Sequence, residues 1–302
     1  FMRTADAQLQ PLRAEAFFAA KKITLRLGRR VGAIDRAERT IVFTDGDTLG
    51  YDRLVLATGT KARRLTVPGA DFAGVHHLRT AADARAMRAG IPESGHVVVI
   101  GGGFIGLEAA AMLAARGLAV TVAELAPRLL ERAVSAAAAG AVKDHLEKAG
   151  IRVRCATRVD RLVGKDGRIS GVALADGELL PADMVVVGIG AVPDVALAQA
   201  AGLHVQKGIV TDSCLATSDP LISAIGDCAV FPHPQTGRLI GIESVQNATD
   251  QARALAKILT GKRAPYAALP WFWSDIGALK LQIAGLAIDL WRFRRRRPSV
   301  TG

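Results

Sequence analysis

Short apolar runs alternate with helical patterns through the middle of the chain. One apolar run ends at Ile100 and another ends at Glu124, and an alanine-rich helical pattern lies between them, from about Ile105 to Arg116. A second helical pattern, SAAAAGAVKDHLEKAG, ends at Gly150, and apolar strand-like runs return after it. Because such strand–helix–strand alternation is typical of parallel, doubly wound sheets, the pattern predicts an α/β fold.

The segments on either side of this region contain mainly short, strand-like apolar runs. Residues 23–58 contain β-like runs with a turn at Asp45-Gly46, which predicts a hairpin. Further along, strand-like runs precede an amphipathic helical pattern, for which Asn247 or Thr249 is the candidate cap. The sequence therefore predicts β-rich segments before and after the α/β region.

Length and composition fit a folded protein with more than one domain. The chain has 302 residues, of which 50% are hydrophobic, so it can bury two sizeable cores. Its longest apolar run, MVVVGIGAV, is too short to cross a bilayer, and the first residues show no signal-peptide pattern. We therefore expect a soluble, cytoplasmic protein that makes no membrane contact.

Cysteine and histidine spacing argues against several kinds of chemistry. The 3 cysteines form no CxxC or CxxxxC pair, which argues against a disulfide framework and against a dithiol redox centre. The 6 histidines lack metal-ligand spacing, and no GxSxG marks a serine nucleophile. The sequence predicts no metal site, and we expect the cysteines to be small buried residues.

The chain is basic, with a formal net charge of +11. A basic surface favours acidic partners, which include acidic proteins, nucleic acid and anionic lipid. Five arginines lie close to the end of the sequence: Arg292, Arg294, Arg295, Arg296 and Arg297. We interpret them as a solvated tail in preference to a nucleic-acid or membrane contact.

The stretch VVVIGGGFIGLEAA has the spacing that dinucleotide binding requires. Gly101 permits the tight turn after the strand, Gly103 lets the backbone approach a pyrophosphate, and Gly106 lets the helix pack closely on the strand. Glu124 ends the next strand, where a carboxylate accepts hydrogen bonds from the adenosine ribose and repels a 2′-phosphate. The pattern favours NADH over NADPH, and a glycine-rich turn without a ligand is the alternative.

Several strings together resemble one family of flavoproteins. The strings, found between about Leu9 and Ala287, are DRLVLATG, VVVIGGGFIGLEAA, TSDPLISAIGDCA, ESVQNATDQA and PWFWSD. With them the chain resembles the pyridine nucleotide-disulfide oxidoreductases, and among these the FAD-dependent NADH:ferredoxin or rubredoxin reductases of the putidaredoxin-reductase type. The resemblance implies a Rossmann-type NAD domain inserted into a partial FAD-binding domain, plus a remnant of a C-terminal α+β domain.

The implied domains divide the chain into four segments. Residues 1–80 are the first part of the FAD-binding domain, and residues 81–207 are the NAD(H)-binding domain. Residues 208–265 are the second part of the FAD-binding domain, and residues 266–302 are a truncated C-terminal domain with a basic tail.

The resemblance also implies residues that hold FAD. Thr58 and Gly59 are expected near the flavin, and Asp227, after Gly226, is expected to hydrogen-bond the ribityl chain. The helix that begins near Val245 is expected to direct its N-terminal dipole at the pyrimidine end of the flavin, which stabilises a reduced, anionic ring. Asp227 as a simple turn cap is the alternative.

Three further residues are implied at the reacting end of the site. Glu108 is expected beside the nicotinamide, Phe104 over the isoalloxazine ring, and Trp273 on the side of the flavin pocket that faces the iron–sulfur partner. The alternatives are an exposed acid near a helix N-terminus for Glu108 and ordinary core or interface aromatics for the other two.

The implied function is electron transfer from NADH through FAD to an acidic ferredoxin or rubredoxin-type acceptor. The lack of a cysteine pair agrees with this, because FAD accepts two electrons together and releases them singly without a dithiol. The resemblance leaves the oligomeric state open.

Other interpretations remain open at this point. The family opens with a GxGxxG unit for the FAD pyrophosphate that this sequence lacks, so the chain is interpreted as truncated at both ends. Its activity is then either impaired or completed by another polypeptide. The main alternative is a non-catalytic NADH-binding remnant without flavin. Another branch of the flavoprotein family, such as a nitrite-reductase-like or monodehydroascorbate-type reductase, is disfavoured by PWFWSD.

Overall fold

The computed structural model describes residues 11–234 and 236–286. The arginine-rich tail predicted above as a solvated segment lies outside the described residues. Within them no helix is long and apolar enough to cross a membrane.

The described residues form α-helices and β-strands. The α-helices are α1 (Glu15–Ala20), α2 (Ala81–Ala89), α3 (Phe104–Ala114), α4 (Ala136–Lys148), α5 (Ala196–Ala200) and α6 (Val245–Leu259). The strands are β1 (Val31–Asp35), β2 (Thr40–Phe43), β3 (Thr48–Gly50), β4 (Leu54–Leu56), β5 (Thr60–Ala62), β6 (Val75–His77), β7 (His96–Ile100), β8 (Ala119–Ala123), β9 (Arg152–Arg154), β10 (Val159–Lys165), β11 (Arg168–Leu174), β12 (Leu179–Pro181), β13 (Met184–Val187), β14 (Ala191–Pro193), β15 (Ile209–Val210), β16 (Ile222–Ala224), β17 (Ala229–Pro232), β18 (Leu239–Ile240), β19 (Trp271–Ile276) and β20 (Leu279–Ala284).

The chain divides into two compact units. Of the described residues, unit one contains those up to Arg63, together with Arg79–Arg88 and Ala191–Phe272. Unit two contains Arg64–Leu78, Ala89–Gly190 and the described residues from Trp273 to residue 286. The four-part domain division made from the sequence stays a prediction, because compactness does not show which segment binds which nucleotide.

Unit two is built on a five-stranded parallel sheet. Its strand order is β6-β13-β7-β8-β9, and each neighbouring pair is parallel. The central strands are apolar and buried along nearly their whole length, as expected when both faces of a parallel sheet are covered. The sheet confirms the predicted Rossmann-type α/β fold class.

The strand order of this sheet reverses beside β7. From β7 the chain continues through α3 to β8 on one side, whereas β13 pairs with β7 on the other side. In open α/β sheets, ligands bind outside the carboxyl ends of the strands at such a switch point. The predicted glycine turn follows β7 at this position.

An antiparallel sheet of β10, β11 and β12 shares its apolar core with the parallel sheet. Leu162 and Val172 from the antiparallel strands belong to the same buried cluster as Val98 and Val185 from the parallel strands. This cluster makes the antiparallel sheet part of unit two.

Unit one combines several small sheets around a second core. They are the meander β1-β2-β3, the parallel pair β4 and β16, the antiparallel pair β5 and β14, and the sheet β15-β17-β18. The meander confirms the hairpin that the sequence predicts at Asp45-Gly46. Leu56, Ile209, Ile222 and Cys228 are buried in the core of this unit.

The structure corrects the predicted cap of α6. Ser244, rather than Asn247 or Thr249, is the N-cap residue, since its Oγ accepts the backbone N–H of Asn247 at 3.1 Å. Asn247 is instead buried, and its Nδ2 donates to the Ile242 carbonyl at 2.9 Å. Thr249 lies a turn inside the helix and donates to the Val245 carbonyl.

Candidate functional site

Two glycines of the turn after β7 have no room for a side chain. Gly101 has a φ of +111°, and a Cβ there would lie 2.4 Å from the Gly188 carbonyl oxygen. A Cβ on Gly106 would lie 2.3 Å from the Gly101 carbonyl oxygen. Both positions therefore require glycine for packing alone, before any ligand is considered.

Gly103 differs from these two glycines because the space that a side chain would occupy there is nearly empty of protein atoms. A Cβ there would have a single neighbour within 4 Å, the Gly188 carbonyl oxygen at 3.9 Å. Gly103 is the N-cap residue of α3, and no side chain caps this end of the helix. A helix N-terminus without a side-chain cap suits an anion, because the helix dipole is positive there.

Glu124 follows β8 and is tied to the glycine turn. Its Oε2 accepts a hydrogen bond from the backbone N–H of Gly102, and its Oε1 accepts one from Ala126 at 2.6 Å. A carboxylate has about four acceptor positions, so these bonds leave capacity for ribose hydroxyls. The structure places Glu124 at the predicted edge of the sheet, and its ribose contact stays a prediction.

Gly102 is a site residue that the sequence analysis did not single out. A Cβ there would lie 2.6 Å from Leu129 Cδ2 and 3.0 Å from Glu124 Oε2. A larger residue would therefore push the carboxylate away from the turn. The GGG run contains the signal, but the fingerprint spacing alone assigns no role to its middle glycine.

Arg128 lies in the segment that follows Glu124, and its guanidinium forms two hydrogen bonds with backbone oxygens. Nη1 donates to the Val134 carbonyl at 2.8 Å, and Nη2 donates to the Glu131 carbonyl at 2.5 Å. These two bonds to backbone oxygens tie the Arg128 side chain to its own loop.

Glu108 lies on α3 two turns after the glycine turn begins. Ser274 Oγ donates to Glu108 Oε1 at 2.5 Å, and Ser274 itself is buried. Phe104 is the first residue of α3 and is partly buried, and Trp273 on β19 is 43% exposed. The roles predicted for Glu108, Phe104 and Trp273 stay predictions.

The predicted flavin residues Thr58 and Gly59 are held by a distant segment of unit one. Thr58 Oγ1 donates to the Asp194 carbonyl at 2.6 Å, and the Asp194 backbone N–H donates to the Gly59 carbonyl at 2.8 Å. The Asp194 side chain also forms an ion pair with Lys61 at 2.8 Å. These contacts fix the backbone between β4 and β5.

Gly226 and Asp227 form a short 3₁₀ turn after β16. The Gly226 N–H donates to Gln251 Oε1 at 2.7 Å, which ties the turn to α6. Asp227 is half-buried, and this burial raises the pKa of its carboxyl group, with the charge of Arg79 acting in the opposite direction. Val245, the first residue of α6, is 68% exposed.

Arg79 is bonded next to one predicted flavin segment of unit one, and its charge acts on the other. Its Nε donates to the Thr60 carbonyl at 3.1 Å and to Thr60 Oγ1 at 3.0 Å. Its Nη2 would lie 3.6 Å from a Cβ on Gly59, and its charge acts on Asp227. The sequence analysis missed this residue, because an arginine just before a helix has no distinctive local pattern.

The parallel sheet, the glycine turn at its switch point and the carboxylate after the next strand define a dinucleotide-binding protein. Residues 3–252 match the family described as pyridine nucleotide-disulphide oxidoreductase, and the chain belongs to this family. The match confirms the resemblance read from the motifs and the oxidoreductase class.

Several proteins similar to this chain are reductases by name. The chain is 45% identical over 281 residues to rhodocoxin reductase of Rhodococcus erythropolis, covering 93% of this chain and 66% of that protein. It is 38% identical over 286 residues to rubredoxin-NAD(+) reductase of Pseudomonas putida, covering 95% of this chain and 74% of that protein. A crystal structure of a ferredoxin reductase from Rhodopseudomonas palustris matches with a TM-score of 0.91 and 46% identity, covering 94% of this chain and 70% of that chain.

Proposed function

We propose that this chain is a flavoprotein reductase, which passes electrons from NADH through FAD to an acidic ferredoxin or rubredoxin-type protein. The observation that carries the proposal is the open position of Gly103 at the uncapped N-terminus of α3. The neighbouring glycines are required by packing, whereas Gly103 leaves space that suits a pyrophosphate on the helix dipole.

Two residues support NADH over NADPH. Glu124 places a negative charge at the end of β8, where it would repel a 2′-phosphate. Arg128 follows in the same segment, but two of its N–H groups bind the carbonyls of Glu131 and Val134, which tie its side chain to its own loop. We infer that the ribose end of the site accepts hydroxyls and disfavours an additional phosphate.

The flavin would be held by unit one. FAD supplies the chemistry of accepting a hydride and releasing electrons singly. Thr58 and Gly59 would present a fixed backbone to it, because both are hydrogen-bonded to Asp194. Asp227 would accept hydrogen bonds from the ribityl hydroxyls, and Arg79 adds a positive charge suited to the anionic part of the cofactor.

The N-terminus of α6 would complete this set. Val245 begins the helix and is exposed, and Gly226 is bonded to Gln251 on the same helix. The helix therefore keeps its positive end and the Asp227 turn in a fixed relation. Donor N–H groups at that end would stabilise negative charge on the flavin ring.

The proposed acceptor rests on the relatives and on charge. The relatives are named for rhodocoxin, rubredoxin and ferredoxin. A net charge of +11 favours an acidic protein among possible partners. Glu108 would bind at the nicotinamide end, Phe104 would lie over the flavin ring, and Trp273 would face the acceptor.

We also propose a cytoplasmic location. Cys155, Cys214 and Cys228 are all free thiols, which is the usual state of cysteines in a reducing compartment. Fractionation of cells that produce the chain, followed by immunoblotting, tests this. Recovery with the membrane or periplasmic fraction would contradict it.

The visible spectrum before and after anaerobic addition of NADH tests the proposed function. The chain reconstituted with FAD should show a flavin band that NADH bleaches. Gly103→Val should keep the band and lose the bleaching, because the added side chain fills the space proposed for the pyrophosphate. Gly140→Val is the matched control, since Gly140 on α4 also has open space around it.

The possible results distinguish a flavoprotein reductase from a non-catalytic NADH-binding remnant without flavin. A chain that binds NADH in calorimetry but never acquires a flavin band would be a nucleotide-binding module, and the reductase proposal would be wrong. Equal bleaching in wild type and Gly103→Val would show that the glycine turn is not the NADH site.

A further inference from the structure

A buried serine on β19 holds the side chain of Glu108. Ser274 is 1% exposed, and its Oγ donates to Glu108 Oε1 at 2.5 Å, although Glu108 lies in an exposed position on α3. The two residues are 166 positions apart in the chain and both belong to unit two. A hydroxyl bound to a carboxylate is one of the stronger hydrogen bonds in proteins.

The turn after β19 also lies near the same helix. Gly277 has a φ of +63°, and a Cβ built there would lie 3.4 Å from Ala111 Cβ. Glu108 and Ala111 are three residues apart, so they lie on one face of α3. The β19–β20 hairpin therefore lies along one face of α3, with Ser274 bonded to Glu108 and Gly277 near Ala111.

We propose that Ser274 is a positioning residue, which orients the Glu108 carboxylate for the carboxamide of the nicotinamide. This rests on the proposed function, in which Glu108 binds the nicotinamide end of NADH. The hydrogen bond on Oε1 selects one rotamer of a side chain that is otherwise exposed and free to rotate. Oε2 is then held in one direction, and the entropy of ordering the side chain is already lost before the nucleotide binds.

The experiment compares two ligands that differ only at the nicotinamide end. The dissociation constants of NAD⁺ and ADP-ribose are measured by calorimetry for wild type, Ser274→Ala, Ser274→Cys and Glu108→Ala. Ser274→Ala should bind NAD⁺ about tenfold more weakly, as expected for losing a hydrogen bond to a charged group, with ADP-ribose binding unchanged. Ser274→Cys, which keeps a weak donor of similar size, should be intermediate.

A serine elsewhere in unit two provides the control for simple loss of stability. Ser135 caps α4 and its Oγ accepts the Ala138 N–H at 3.3 Å, so Ser135→Ala removes a structural hydroxyl at another place. It should lower the melting temperature and leave both dissociation constants unchanged. The double variant Glu108→Ala/Ser274→Ala should bind NAD⁺ as Glu108→Ala alone does, because the two residues act as one unit.

Each result has a distinct meaning. If Glu108→Ala weakens NAD⁺ selectively but Ser274→Ala does not, Ser274 is merely structural and the inference is wrong, while the proposed function stands. If Ser274→Ala weakens both ligands equally, the effect is on the fold and the inference is also wrong. If Glu108→Ala leaves the ratio of the NAD⁺ and ADP-ribose dissociation constants unchanged, Glu108 does not bind the nicotinamide. Both that part of the proposed function and the inference about Ser274 are then wrong.

Discussion

The carboxylate of Glu124 accepts a hydrogen bond from the backbone N–H of Gly102 in the glycine turn. Two segments of the proposed nucleotide site are therefore joined by the residue that would also contact the ribose. Leu130 reinforces the connection, since its N–H donates to the Gly102 carbonyl at 3.0 Å. Substitutions at Glu124 should for this reason change both nucleotide preference and the stability of the turn.

Replacing Glu124 should separate these two effects. Glu124→Gln offers a donor where two backbone N–H groups need acceptors, so we expect a loss of about 1–3 kcal/mol in the free energy of unfolding. Glu124→Arg should also weaken NADH binding and improve NADPH binding relative to it. Calorimetry with both nucleotides checks this, with Glu131→Gln as the exposed-acid control. Unchanged NADH affinity in Glu124→Arg would remove Glu124 from the ribose site.

Two glycines in helices should respond in opposite directions to the same change. Gly106→Ala places a Cβ 2.3 Å from the Gly101 carbonyl oxygen, so it should destabilise the chain and displace α3 from the turn. Gly140→Ala adds a methyl group in open space inside α4 and should stabilise the chain by about 0.5–1 kcal/mol. Urea denaturation measures both, and a stable Gly106→Ala variant that binds NADH normally would contradict the packing argument.

Asp227 should give the chain a specific dependence on pH. Burial raises the pKa of its carboxyl group, so the folded state holds the proton more tightly than the unfolded state does. Ionising Asp227 therefore costs stability, and the cost appears as pH rises from the unfolded pKa through the folded one. Relative to Asp227→Asn, the flavin-free wild type should lose stability over that window.

Urea denaturation of the two proteins at several pH values between about 3.5 and 7 provides this measurement. The difference in unfolding free energy should be smallest at the acid end and should grow toward neutral pH. A difference that is constant across the series, or that grows toward acid, would show that Asp227 is not buried as described.

Arg79 should affect flavin binding and the titration of Asp227 together. Arg79→Ala removes the bonds to Thr60 and the positive charge near Asp227, so FAD should bind at least several-fold more weakly. The pKa of Asp227 should rise further, because the charge that opposes burial is gone. Flavin fluorescence titration checks the affinity, and Arg253→Ala, at an exposed ion pair on α6, is the control. Equal FAD affinity in both variants would exclude Arg79 from the flavin site.

The parallel sheet and the glycine turn could be predicted because their signals are local. Buried strands such as β7 are apolar along their length, and the glycine spacing follows β7 directly. The cap of α6 could not be chosen in the same way, because several polar residues fall within one turn of its start. The backbone decides it: Ser244 is extended, with φ −149° and ψ 149°, and the helix begins at the next residue.

The contacts of Arg79 and Ser274 could not be predicted from local sequence patterns. Ser274 reaches Glu108 from 166 positions away, and no period or spacing connects the two segments. Arg79 and Thr60 both belong to unit one, but most of the residues between them in the sequence, Arg64–Leu78, belong to unit two. Resemblance to the family supplied Thr58, Gly59 and Asp227 as candidates, but the residues that hold them required the structure.

The pairing of β4 with β16 constrains the order in which the protein can fold. Cys228 Sγ lies 3.7 Å from the Leu56 carbonyl oxygen, 172 positions away, and every strand of the parallel sheet falls between them in the sequence. Closing so long a loop from an unfolded chain is entropically costly, and such non-local contacts slow folding. Prior folding of the intervening segment shortens the effective loop, so the ends of unit one join fastest after the parallel sheet has formed. On the ribosome, β4 must therefore wait for more than half of the chain to be synthesised before its partner strand exists.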